Sequence, residues 1–122
     1  MTRLGSEGMR DLDATSFDDA VGGDAVVIDF WAPWCRPCKA IEPILEELQA
    51  QVPVARLNID DHPEIASRYE VLAIPTVMLF AGGEPRGVLR GARPRAHFEQ
   101  WLAEVLPAGG LDGLAVQGQP DA

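Results

Sequence analysis

The order and periodicity of apolar residues predict a mixed α/β domain, with helices on both faces of a sheet. Three observations carry this. Ala25-Val26-Val27-Ile28-Asp29-Phe30-Trp31-Ala32 is a near-continuous apolar, β-branched and aromatic run, as expected of a strand covered on both faces. Strand-like and helix-like periods alternate after it. A Gly-Gly loop between two strand-like runs, then a closing helix, adds antiparallel strands to an otherwise parallel pattern. The 122 residues, with 47% hydrophobic and 24% charged, suit one core of ordinary composition.

Taken in order, residues 1–8 are Gly-rich and polar and are expected to be a flexible extension, with the domain beginning at Met9. Residues 9–12 fit a short edge strand. Thr15-Ser16-Phe17-Asp18-Asp19 offers a hydroxyl cap with a carboxylate three residues on, opening a helix that Gly22-Gly23 closes. After the strand at 25–32, Ala40, Ile41, Ile44, Leu45 and Leu48 recur at helical spacing, predicting one long amphipathic helix with Cys35 at its start. Pro37 falls in its first turn, where no backbone donor is needed, and Pro43 should kink it.

Residues 54–60 alternate Val54, Arg56, Asn58 against Ala55, Leu57, Ile59, a strand with one more polar face. Asp61 is the expected cap of the next helix, with Pro63 in its first turn and Ile65, Ala66, Tyr69 and Val71 on its apolar side. Residues 77–80 and 87–90 read as strands joined by Gly82-Gly83-Glu84. Pro94 then opens a helix that buries Phe98, Trp101, Leu102 and Val105 and stops at Pro107. Residues 108–122, rich in Gly, Pro and Gln, are expected to form a flexible tail, with at most a brief helical turn at Leu111, Leu114 and Val116.

Charge narrows the partners. With 19 Asp plus Glu against 10 Lys plus Arg, the formal charge of -9 argues against nucleic acid and anionic membrane. No window approaches the roughly 18 apolar residues of a spanning helix, and residues 1–8 lack an apolar signal core, so the expected compartment is the cytoplasm. Both cysteines lie in Trp34-Cys35-Arg36-Pro37-Cys38-Lys39. Such a pair on a helix start has a dithiol and a disulfide as its natural states. Half of a metal site and two inert buried thiols are the competing readings. His62 and His97, at helix starts on solvent faces, do not complete a tetrahedral site, so no metal is expected.

Position also says something about reactivity. Exchange needs a thiolate, and the unpaired N–H groups of a helix start favour that anion at Cys35. Cys38, one turn further in, is then the shielded resolving thiol. Asp29 interrupts an apolar strand, where burial disfavours its charge; it is either a structural acid or a proton carrier with a raised pKa.

Val27-Ile28-Asp29-Phe30-Trp31-Ala32, Trp34-Cys35-Arg36-Pro37-Cys38-Lys39 and Ile74-Pro75-Thr76, in this order, resemble the thioredoxin family. Leu57-Asn58-Ile59-Asp60, Phe80 with Gly83-Glu84, and Gly91-Ala92 add to the likeness, which runs from Met9 to Pro107. The resemblance implies a thioredoxin fold over residues 9–107, a central mixed sheet of about five strands flanked by about four helices. It implies a monomeric general protein-disulfide reductase with no bound cofactor. Its redox-active centre is the Cys35–Cys38 disulfide, its clients are disulfide-containing proteins, and a separate NADPH-dependent thioredoxin reductase recycles it. Alternatives are an oxidant or isomerase of the same fold and a non-catalytic binding module.

The resemblance also distributes roles. Cys35 is the nucleophile, Cys38 the resolving thiol and Asp29 the proton acceptor and donor for Cys38. Sequence alone makes a trans Pro75 the default, but the resemblance implies a cis Ile74–Pro75 bond facing the sulfurs. Trp34, Ile74, Gly91 and Ala92, with Pro37, should form an apolar docking patch, supported by Trp31, Lys39 and Arg56. Arg56 stands where the family often has Lys, able to tune Asp29 by charge without releasing a proton. Arg36 replaces the usual Gly; with Pro37 it is expected to tune the redox couple. An exposed guanidinium beside Cys35 favours the reduced form, by at most roughly a couple of tens of millivolts.

Overall fold

The computed structural model describes residues 9–106; the expectations for residues 1–8 and 108–122 lie outside the described residues. Ten elements follow one another: β1 (Arg10–Asp11), α1 (Ala14–Val21), β2 (Val26–Trp31), α2 (Arg36–Ala40), α3 (Glu42–Leu48), β3 (Val54–Asn58), α4 (Pro63–Arg68), β4 (Thr76–Ala81), β5 (Glu84–Arg90) and α5 (Arg95–Val105). The five strands form one sheet in the order β1-β3-β2-β4-β5. β3 pairs in parallel with β1 and β2, whereas β4 runs antiparallel to both β2 and β5.

β2 lies at the centre because its residues tolerate burial on both sides. Alternation sends Val27 to a face covered by Ile41, Leu45 and Leu48 and by Phe98, Trp101 and Leu102 of α5. Ile28 and Phe30 point to the other face, closed by Phe17 and Val21 of α1 and Ile65 of α4. Surface ion pairs join the helices on each face, Arg95 to Glu47 on the first and Arg68 to Asp18 on the second.

Four local expectations are corrected. α1 is capped by Asp13, whose carboxylate accepts from the Ser16 N–H at 2.8 Å, while the Ser16 hydroxyl accepts from the Asp13 N–H at 2.8 Å. This reciprocal pair satisfies two donors, more than the expected cap at Thr15-Ser16 would. The long helix after Cys35 is two helices, meeting at Ile41, which raises the helix count to five. Pro43 supplies no N–H for a continuous ladder, so α2 ends and Pro43 becomes a first-turn residue of α3.

α4 is capped by His62 rather than Asp61, with no side-chain cap bond, since Pro63 removes one donor at its start. Finally, β5 begins at Glu84 instead of Gly87. Gly82 and Gly83 both have positive φ, +62° and +84°, and so close a two-residue turn that pairs Ala81 with Glu84. Close approach matters at Gly87 as well: a Cβ there would sit 2.4 Å from Val105 Cγ1, so its bareness lets α5 lie on β5.

Candidate active site

β2 ends at Trp31, and the chain turns at once into the cysteine pair. The Cys35 N–H donates to the Ala32 carbonyl at 3.1 Å, placing Cys35 at the N-cap of α2 with extended backbone. Its sulfur accepts from the Cys38 N–H at 3.2 Å. With α2 only five residues long, this direct donor matters more for stabilising a Cys35 thiolate than a macrodipole does. Cys35 and Cys38 form a disulfide with their Cα atoms 5.3 Å apart. Both are buried, in a cluster with Ala32 against which Trp31, Ile59 and Ile74 pack.

Ile74 comes from the loop before β4, and the Ile74–Pro75 bond is cis, as expected. Pro75 is buried, and its carbonyl accepts from the Gly91 N–H at 2.9 Å. Gly91 has φ +92°, a conformation that L side chains rarely adopt, which explains a glycine where the chain leaves β5 beside Pro75. The same loop is tied by the Thr76 hydroxyl, which donates to the Ala73 carbonyl at 2.6 Å.

Trp34 is 68% exposed, and its indole N–H donates to Asp60 Oδ2 at 2.9 Å. The Asp60 N–H in turn donates to Asn58 Oδ1 at 2.9 Å. Asp60 ends the Leu57-Asn58-Ile59-Asp60 run, and nothing in its spacing connects it to Trp34. Leu72, in the loop that carries Ile74, is 94% exposed and adds apolar surface that the sequence reading missed. Arg36, Pro37, Lys39 and Ala92 are also exposed, and no ion pair joins Arg36 or Lys39 to another described residue.

Asp29 is fully buried, and neither carboxylate oxygen has a hydrogen-bond partner. Its pKa is raised to about 7; burial is the main cause, the Arg56 charge opposes it and the Glu42 charge adds to it. Arg56 stands opposite Asp29 across the β2–β3 ladder. Its guanidinium is bound elsewhere, to Asp11 at 2.9 Å and Glu42 at 3.0 Å, and lies 4.0 Å from the Trp31 ring centroid. Asp11 and Glu42 were also absent from the sequence-derived site. Trp31 is half-buried and packs against the cluster that holds the disulfide.

Among the described residues, no three His, Cys, Asp or Glu side chains group to hold a metal, and no helix is long and apolar enough to cross a membrane. The cysteine pair, able to hold two electrons as dithiol or disulfide, is bordered by exposed Trp34 and Leu72, with the buried acid Asp29 two residues before Trp31 on the same strand.

Residues 8–104 match the family model described as Thioredoxin. The chain is 43% identical over 100 residues to the thioredoxin of Alicyclobacillus acidocaldarius, covering 78% of this chain and 95% of that protein. It is 41% identical over 100 residues to the bifunctional thioredoxin reductase/thioredoxin of Mycobacterium leprae, covering 78% of this chain but 22% of that longer one. Among solved structures, oxidised mitochondrial thioredoxin 3 from Saccharomyces cerevisiae superposes with a TM-score of 0.71 at 33% identity, over 82% of this chain and 99% of that one. A chain from a study of the thiol-resolving mechanism of yeast mitochondrial 1-Cys peroxiredoxin via glutathione/thioredoxin systems matches with the same TM-score at 32% identity.

Proposed function

Since the chain belongs to the thioredoxin family, and is a thiol-disulfide oxidoreductase of that kind, we propose that it is a general protein-disulfide reductase acting through Cys35 and Cys38. The observation that carries this reading is the Cys35–Cys38 disulfide at the mouth of β2, with one sulfur accepting a backbone N–H and an exposed Trp34 beside it.

In the reduced protein the Cys35 thiolate attacks one sulfur of a client disulfide. A mixed disulfide forms, and the client's other sulfur leaves as a thiolate that takes a proton from solvent. Cys38 then gives its proton to the ionised Asp29 carboxylate and attacks Cys35 Sγ. The Cys35–Cys38 disulfide forms and the second client sulfur leaves as a thiolate that takes a proton from solvent, so two electrons pass to the client. A group titrating near 7 is about half ionised at neutral pH, which suits it to accept that proton and return it on the reverse path.

Trp34, Pro37, Ile74, Gly91 and Ala92 form the docking rim, with Ile74 beside the cis bond offering its backbone to an extended client segment. Trp31, Lys39 and Arg56 support it, and Arg36 with Pro37 tunes the couple. A flavoprotein reductase using NADPH returns the disulfide to the dithiol; the M. leprae relative, whose name joins both activities in one chain, supports this partner. Disulfide-containing proteins, peroxidases among them, are the clients, in line with the peroxiredoxin study's title. The proposed working form is a monomeric domain of residues 9–107 in a reducing cytoplasm.

The test is insulin reduction coupled to NADPH oxidation by a bacterial thioredoxin reductase. The wild type should turn over, Cys35→Ser should not, and Cys38→Ser should trap a mixed disulfide. A Cys35→Ser protein that still sustains a partner's activity would instead mark a binding module without turnover.

A further inference from the structure

Arg56 and Asp29 are partners in adjacent parallel strands, so their side chains rise from the same face of the sheet. Opposite charges facing one another across a ladder ordinarily pair. Here they do not: both Asp29 oxygens are unpartnered. The guanidinium instead gives its Nε to Asp11 at 3.0 Å and its Nη1 to Glu42 at 3.0 Å, while resting over Trp31. A pocket of about 210 Å³, lined by Met9, Asp11, Glu42, Glu46 and Arg56, lies over this arrangement.

We propose that Glu42, seconded by Asp11, is a positioning residue for Asp29: the two carboxylates hold the Arg56 guanidinium at the pocket rim, so that its charge does not settle on the buried acid. The inference rests on the reading of Asp29 as the proton carrier for Cys38. A guanidinium paired directly with Asp29 would keep the carboxyl ionised far below neutral pH and unable to give a proton back. The charged groups facing this region are Arg56 from β3, Glu42 and Glu46 from α3 and Asp11 from β1; on β4, the partner of Asp29 is the uncharged Val77. Glu42 acts in one direction by two routes, by its own negative charge and by occupying Arg56.

Asp29 can be followed directly by carbon NMR of its labelled carboxyl in the oxidised full-length protein, with Asp29→Asn identifying the resonance. Alongside it, the pH profile of insulin reduction is measured. Glu42→Gln should lower the Asp29 midpoint by roughly 0.5 to 1 pH unit, and Arg56→Gln should raise it by a similar amount. The double variant should fall between them. A side chain that merely docks α3 on the sheet would change the urea midpoint and leave the titration where it was, and that result overturns the proposal. So does a midpoint that rises in Glu42→Gln. If the Asp29 midpoint falls while the activity profile stays put, the positioning role stands and the proton-carrier role of Asp29 fails.

Discussion

The two faces of the sheet are built from the same strands and are chemically unlike. On the α1/α4 face, Phe17, Phe30, Tyr69 and Phe80 pack ring to ring, with centroids 5.0 to 6.3 Å apart in tilted and edge-on pairs. On the α3/α5 face, the residue before Phe30 is Asp29, an acid without a partner, flanked by the Arg56–Glu42–Asp11 cluster and by Trp31. One step along β2 thus separates a cluster of aromatic rings from a buried carboxyl without a hydrogen-bond partner. Val27, Leu45, Phe98 and Leu102 give the α3/α5 face an apolar core of its own, so the cost of the bare acid is carried within a face that is otherwise well packed.

The sharpest way to break this comparison is to damage the aromatic face. Phe17→Ala removes a fully buried ring that touches three others and should cost about 3 to 5 kcal/mol in urea unfolding. Insulin reduction per folded molecule should stay near wild type; a matching loss of turnover would mean that the two faces are not separable.

Asp29→Asn should do the reverse, raising stability while slowing the resolving step. The sign follows from the raised pKa: well below pH 4 folded and unfolded chains are both protonated, so the ionisation of Asp29 costs nothing there. Between about pH 4 and 7 the unfolded acid ionises first, and stability falls as pH rises through that window. Above about pH 7 the full cost, roughly 4 kcal/mol by the size of the shift, is present. Urea midpoints for wild type and Asp29→Asn should therefore converge near pH 3.5 and separate above 7. Parallel curves would show that Asp29 is not held neutral by burial.

Gly91→Ala probes the loop that leaves β5, where positive φ and the bond to the Pro75 carbonyl coincide. It should cost about 1 to 2 kcal/mol of stability and raise KM for a protein client more than it lowers kcat. Smallest of all, Arg36→Gly on the exposed start of α2 should make the couple more reducing by at most roughly 20 mV, measured against glutathione. Equal potentials, or a more oxidising variant, would remove Arg36 from the tuning of the disulfide.

What local pattern could carry was legible in the chain by itself. The apolar run at 25–32 announced a strand buried on both faces, and β2 is the centre of the sheet. The cysteine spacing left a redox pair, half of a metal site and two inert thiols open until the thioredoxin resemblance favoured the first, and the anomaly of Asp29 was visible because a charge in such a run is expensive. Periodicity and cost are properties of neighbours in sequence, so reading neighbours recovers them. Other features depend on rivals that sequence does not rank. Asp13 won the α1 cap over Thr15 because Ser16 answers it reciprocally, and the helix after Cys35 split because Pro43 could begin a new one.

The partners of Trp34 and Arg56 were decided by tertiary structure alone. Asp60 lies 26 positions from Trp34, and Asp11 and Glu42 lie 45 and 14 from Arg56. An acidic chain offers many carboxylates to each donor, and only the folded geometry brings one within 3 Å while leaving Asp29 unpaired. Sequence could name the acid and the sulfurs because their identity is chemical. How Asp29 is kept protonatable is a matter of distance and burial, which do not exist until the sheet and its helices close around it.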